Sequence, residues 1–479
     1  MLRNKGVADF MALLQGEAKK LKDHHKPTTC PACLLQISIT FEGDRRLREA
    51  SQVSCHDFWN ACIAAITVQR SPNDINTLRL QLRRNVRVCR RQDLHGNPPR
   101  LVAQDLNDPV HMFIHSLYVL LGSCLMPVEG GHSALYNSRD PKKAFGNRGD
   151  LWPTLLSDLV PFGERQSAEA HVRWACQLFS PAPFMAMLPM LLGCRSVLFP
   201  SLLEPELRER ILWYITQCLH ADQGRDDYKW PDSVQSQCTR PSRLPWWMTL
   251  SSRCSLEITV SFMDMVFCGA DSDPDDAVRF TLGFERALLP AVNTALEIHN
   301  TTGLRNSKAE TTNLARMALL LFKRMDEPKS PQRDLHEVSR REMDRPTYMG
   351  IDITQSPHQL VHHALLKLYQ KRTCSALSCG KSVHQASAGK SLPLCSGCKF
   401  TQYCSKECQR ADWKHEAFPH KVICPILRLW TPGIQAGFEL SGTRSAMDVL
   451  VASGEQNRTI FEAWAITRGL VSTHPLNAA

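Results

Sequence analysis

Apolar residues recur at intervals of three and four along most of this chain, the spacing of one face of an α-helix. From Val7 to Leu21, the residues Val7, Phe10, Met11, Leu14 and Ala18 form one stripe and the far face is charged. Leu106 to Leu125 is denser, with Met112, Phe113, Leu117, Val119 and Leu121, and it ends before the stop signals Pro127 and Gly130-Gly131. A polar loop rich in Gly, Asn, Ser and Asp follows, up to Leu151. Ala182 to Leu203 is apolar but interrupted by Pro183, Pro189, Arg195 and Pro200. It predicts buried helices with turns, because a membrane span needs roughly 18 unbroken apolar residues. Glu204-Pro205-Glu206-Leu207 opens a clearer helix: proline and acids suit a first turn, and Leu207, Ile211, Ile215 and Leu219 share a face. Leu256 to Phe267, Ala277 to Leu296 and Leu304 to Met325 continue the pattern, with Asp271 to Asp276 and Asn300 to Gly303 as intervening loops. Pro290 predicts a kink or an end in the second of these.

The fold class is therefore mainly α. An N-terminal segment (1–50) precedes a helical region (51–350), either a bundle or an array of the armadillo or HEAT kind, although no fixed period in the sequence establishes repeats. The charged, proline-marked stretch Lys323 to Arg345 predicts a linker or a solvated helix. Ser356-Pro357-His358-Gln359 starts a lead-in helix (356–371) with a capping-box pattern, and Leu360, Ala364, Leu365 and Leu368 lie on one face. His362 and His363 are adjacent on that helix, point in different directions and are read as surface residues. In the C-terminal tail (427–479), Ile460, Phe461 and Trp464 predict a final helix over Ile460 to Leu470 that returns to pack on the helical region.

Composition adds little to this picture. The 479 residues are 43% hydrophobic and 22% charged, ordinary for a soluble globular protein with more than one domain. A net charge of +10 is mildly basic, well short of a dedicated nucleic-acid binder.

Cysteine changes the picture. Seven of the nineteen cysteines fall between Cys374 and Cys424, as Cys374-x4-Cys379, Cys395-x2-Cys398, Cys404-x3-Cys408 and His420-x3-Cys424. Two sulfurs a few residues apart reach one ion from a single turn, and two such pairs complete a tetrahedral shell, so eight ligands imply two zinc ions. A segment of about fifty residues is too small for a self-sufficient core, and the metal supplies the missing stability. Spacing alone does not decide between consecutive and interleaved pairs. His415 rivals His420 as a ligand, and His384 is a weaker third candidate. His420 is preferred because it lies four residues from Cys424, on one face of a turn that Pro419 can start. A lone pair, Cys30-Pro31-Ala32-Cys33, reads as two ordinary cysteines in a turn before a helix or strand. A redox site, or a further zinc completed by Cys55 or His56, is the functional alternative.

The run Tyr403-Cys404-Ser405-Lys406-Glu407-Cys408-Gln409-Arg410-Ala411-Asp412-Trp413-Lys414, followed by His420-Lys421-Val422-Ile423-Cys424, resembles the second half of a MYND-type zinc finger. The resemblance is confined to residues 374–424. It implies interleaving: Cys374, Cys379, Cys404 and Cys408 on one zinc, and Cys395, Cys398, His420 and Cys424 on the other. The gap from Cys379 to Cys395, and the residues His415 to Pro419 before the histidine, are both longer than the family's usual pattern. The resemblance also implies an attachment role, with short proline-containing peptides of other proteins bound near Gln409 and Trp413. Trp413 and Tyr403 are otherwise read as packing residues.

Some fingers of this kind sit inside SET-class lysine methyltransferases, but the chain carries no Asn-His-Ser-type cofactor motif. It also lacks a Walker loop, a Gly-x-Ser-x-Gly elbow and a His-Glu-x-x-His helix. The expectation is a non-enzymatic zinc-binding adaptor with protein partners and no membrane. The alternative is a nucleic-acid-associated transcriptional regulator using Lys399, Lys406, Arg410, Lys414 and Lys421. Zinc-binding thiolates, and an N-terminus without the apolar core of a secretory signal, predict an intracellular site, cytoplasm or nucleus.

Overall fold

The computed structural model describes residues 6–42, 44–91, 95, 108–125, 151–178, 180–220, 252–268, 276–302, 307–325, 330–343, 347–348, 351–352, 361, 364–365, 368–369, 371–386, 392–439 and 454–468. The chain divides into two compact units, Met1–Asn137 with Phe145–Met265, and Ser138–Ala144 with Val266–Ala479.

The first unit contains α1 (Val7–Leu21), α2 (Pro31–Glu42), α3 (Arg45–Ser54), α4 (His56–Thr67), α5 (Pro72–Arg87), α6 (Pro109–Leu125), α7 (Glu164–Leu178), α8 (Ala182–Leu202), α9 (Pro205–His220) and most of α10 (Ser252–Cys268). Local chemistry sets several of the ends. Asp44 caps α3 through the Arg46 and Leu47 N–H groups. Ser71 and Asp74 form a reciprocal capping box on α5, with Pro72 at its first position. The residue-50 boundary expected from the sequence falls inside α3, so the first fifty residues are part of the helical unit.

Its core is linked by aromatic contacts: Phe10 stacks on Phe41 at 6.4 Å, Phe41 meets Trp59 at 5.4 Å, and Trp59 meets Trp152 at 5.8 Å. Both indole N–H groups are satisfied, Trp59 by Ser51 O and Trp152 by Asn60 Oδ1. α2 packs most extensively on α6 and α1 on α4, across several intervening helices. A solenoid repeat touches mainly its sequence neighbours. Among the described residues, the first unit is a bundle.

Ala182–Leu202 is, as expected, a broken helical stretch, two helices joined across a kink. It contains Pro189 and Pro200, and its break is confined to Cys194, at φ −134° and ψ 29°. By length and composition it could cross a membrane, yet 78% of its apolar window is buried within the protein, and α6 and α7 pack on it. That is the setting of a core helix.

In the second unit, the helix expected over Ala277 to Leu296 is two: α11 (Asp276–Thr281) and α12 (Glu285–Thr302). Gly283 separates them at φ +84°, a conformation that costs other residues a Cβ clash. α12 then continues through Pro290, in its second turn, instead of ending there. α13 (Ser307–Arg324) packs on α12.

The expected linker holds α14 (Pro331–Asp334) and α15 (Glu337–Met343), and α15 packs on α13. Leu335 and Ser339 are buried there, and the Asn293 side chain donates to Asp334 O and accepts from the His336 N–H. The charged stretch is thus folded back on its own unit. A two-residue hairpin, β1 (Thr347–Tyr348) with β2 (Ile351–Asp352), follows. Most of the lead-in helix, including His362 and His363, lies outside the described residues. Val361, Ala364, Leu365 and Leu368 are helical and buried in the core of the metal-binding segment described next.

Candidate metal centre

Four short turns carry the eight expected ligands. Cys374 and Cys379 lie within a turn closed by an antiparallel bridge from Thr373 to Ser382, ahead of the short α16 (Val383–Ala386). Cys395 and Cys398 lie within a second, closed by a bridge from Leu394 to Gln402. Cys404 follows that bridge. Cys408 sits on α17 (Lys406–Trp413), whose N-cap Ser405 accepts from the Cys408 N–H at 3.2 Å. His420 and Cys424 occupy the first turns of α18 (His420–Glu439).

The donor atoms gather into two groups, each spanning no more than 4.8 Å: Cys374, Cys379, Cys404 and Cys408, and Cys395, Cys398, His420 and Cys424. The pairs interleave. In the first group, Cys404 Sγ lies 3.4 Å from Cys379 Sγ and 3.5 Å from Cys408 Sγ. In the second, Cys395 and Cys424 sulfurs are 3.8 Å apart, and Cys398 Sγ is 3.7 Å from His420 Nε2. Zn–S bonds of about 2.3 Å arranged tetrahedrally give S···S edges of about 3.8 Å. A disulfide would need about 2.05 Å. The residues fit zinc.

His415 stands outside both groups, with its Nδ1 accepting from the Phe418 N–H at 3.5 Å. The His384 side chain lies outside the described residues. Cys30 and Cys33 meet neither Cys55, whose sulfur contacts Met11 Sδ at 3.6 Å, nor His56, whose Nε2 hydrogen-bonds Gln52 O. The alternative completion of that pair by Cys55 or His56 fails because these two residues face α1 and the preceding turn of their own segment.

Backbone N–H groups point at the sulfurs. Cys374 accepts from the Cys404 N–H at 3.4 Å, and Cys379 and Cys395, despite burial, are lowered in pKa by neighbouring backbone N–H groups and sulfurs. Such bonds stabilise thiolate. Burial opposes it, and pushes Cys424 up to about 12, reinforced by the nearby Cys398 and Cys395 sulfurs. A divalent cation reverses that balance. Burial also lowers His420 to about 4, which keeps its imidazole neutral, the form that binds metal.

Several supporting residues escaped the sequence reading. A Cβ on Gly397 would lie 2.9 Å from Cys424 Sγ, so only glycine lets the two halves of the second site close. Gln402 is a strut between the sites: its N–H donates to Ser375 Oγ, its carbonyl accepts from the Ser375 N–H, and its amide donates to Thr373 O. Tyr403 donates to Asp412 Oδ2 at 2.7 Å, and burial pushes its phenol well up.

The buried Asp412 also pairs with Arg468, just past α19 (Glu455–Thr467). Arg468 in turn donates to Ser375 O and Phe418 O. On α19, Phe461 meets Trp430 of α18 at 5.3 Å. The tail helix therefore covers the finger, where the sequence placed it on the helical region. The C-x-Gly-Cys spacing was the one local signal for Gly397; Arg468 lies 44 positions beyond the last ligand and carried none.

No curated protein and no solved structure matches the chain. A family model described as MYND finger matches residues 374–424, the segment that brings the eight ligands together. Two closed tetrahedral donor sets in interleaved order, on the matched residues, make Cys374 to Cys424 a MYND finger, a zinc-binding domain of the protein-interaction class.

Proposed function

We propose that this protein is an adaptor whose finger holds short proline-containing peptides of other proteins while the helical unit serves as a scaffold. The observation that carries this reading is Trp413. This residue is 39% exposed, whereas Phe400, Tyr403, Trp430 and Trp464 of the same unit are buried. Gln409 precedes it by one helical turn on α17 and shares its face. An exposed indole beside an amide suits proline, which stacks on aromatic rings and leaves a carbonyl to be hydrogen-bonded. Both metal sites have four protein ligands, which supports attachment rather than catalysis, since no coordination position remains to activate water. The thiolate ligands favour a reducing compartment, cytoplasm or nucleus.

Titration of the full chain with proline-containing peptides tests the reading. Trp413→Ala and Gln409→Ala are expected to weaken binding about tenfold or more, the loss typical of a central aromatic contact, with zinc content retained. Binding of the wild-type chain should change little between low and physiological salt. Peptide binding unaffected by both substitutions would contradict the proposal. So would nucleic-acid binding that falls steeply with salt and maps to the exposed Lys399, Lys406, Arg410, Lys414 and Lys421.

A further inference from the structure

Among the described residues, three groups of Cys, His and acidic side chains bring their donor atoms within 4.8 Å, and only two of them belong to the finger. The third is Cys30, Cys33, Cys89 and His95, in the first unit. Cys30 Sγ lies 3.3 Å from His95 Nε2, and Cys33 Sγ lies 3.6 Å from Cys89 Sγ. These are the separations seen in the finger, and again no sulfur pair is at bonding distance.

The finger provides an internal standard. In the finger, Cys374 accepts from the Cys404 N–H at 3.4 Å. Cys89 accepts from the Arg91 N–H at the same distance. A backbone N–H aimed at a sulfur, as in the finger, is thus repeated at the Cys89 arm of the third group.

The surroundings hold those arms in place. Cys30 and Cys33 lie at the start of α2, and Cys89 lies just past the end of α5. The buried Asn85 on α5 donates to Pro27 O and Thr29 O, which fastens the approach to Cys30 against the exit toward Cys89. Glu17 of α1, 1% exposed, accepts from Thr29 Oγ1 and pairs with Lys20 and with Arg91, two residues beyond Cys89. Buried polar partners of this kind orient ligands from behind.

We propose that Cys30, Cys33, Cys89 and His95 bind a third zinc ion, a structural site that ties the start of α2 to the exit of α5. Three sulfurs and one imidazole are a borderline-soft donor set suited to zinc, and four protein ligands close the shell.

Native mass spectrometry of the full-length, reduced chain purified without chelator tests this. Three zinc ions per chain are expected, and two would overturn the proposal. Cys89→Ser is expected to lose one ion with helix content unchanged, whereas His420→Ala, which acts on the finger, leaves this ion bound; three ions retained in Cys89→Ser would overturn it. Should Cys89→Ser fail to fold, labelling of the unmutated chain decides. Cys89, partly exposed, is expected to resist N-ethylmaleimide until a chelator is added. Prompt labelling of Cys89 in the zinc-loaded chain, or a Cys30–Cys33 disulfide in its place, would overturn the assignment.

Discussion

Replacing His420 with alanine is expected to strip one zinc from the chain and to release α18 and the tail helix that the second site anchors, while His415→Ala leaves the metal in place. His420 is fully buried and supplies the one nitrogen of the second site, 3.7 Å from Cys398 Sγ. It also begins α18, which carries Ile423, Leu427 and Trp430 into the same core as Phe461 and Trp464. A structural zinc contributes on the order of 10 kcal/mol, comparable to the ~5–15 kcal/mol that holds a whole domain together. Amide exchange is the direct readout. Protection over residues 395–401, 420–430 and 455–467 should fall toward unfolded rates in His420→Ala and stay unchanged in His415→Ala. Equal zinc loss in the two variants would show that the ligand has been misassigned.

The second large effect lies outside the residues that the family model matches. Arg468→Ala is expected to destabilise the finger by about 3–5 kcal/mol, the usual result of removing one partner of a buried ion pair. Asp412 would keep its charge in the interior with Tyr403 as its remaining partner, and the Ser375 and Phe418 carbonyls would lose their guanidinium donor. A neutral double variant, Asp412→Asn with Arg468→Met, should recover much of the loss, because it leaves no unpaired charge. Zinc release by a competing chelator, followed across the three proteins, measures this. An Arg468→Ala chain that releases its metal no faster than wild type would remove the tail from the account. It follows that a fragment limited to 374–424 holds its metal less firmly than one running from 361 to 468.

The contrast between these two predictions marks what the sequence could disclose. Metal ligands are legible because each pair must sit within a few residues to share a turn, so Cys395-x2-Cys398 and His420-x3-Cys424 were visible without a fold. Helices were legible where a stripe was regular, as from Val7 to Leu21. Breaks were harder. Gly283 separates α11 from α12 through one backbone angle, while α12 runs on through Pro290 in its second turn, and periodicity weighs the two residues the wrong way round. Long-range pairs left no local trace. Arg468 reaches Asp412 across 56 positions, and Cys33 reaches Cys89 across the same separation. Only folding brings such groups together, so no window along the chain contains both members.

The central claim is that the finger's two ions are held by alternating pairs, and counting zinc in two double-serine variants tests it most directly. Cys374→Ser with Cys404→Ser removes two ligands from one ion and should cost the chain one zinc; Cys374→Ser with Cys395→Ser strikes both ions and should cost two. Consecutive pairing requires the reverse, two lost in the first variant and one in the second, and that outcome would contradict the structure described above.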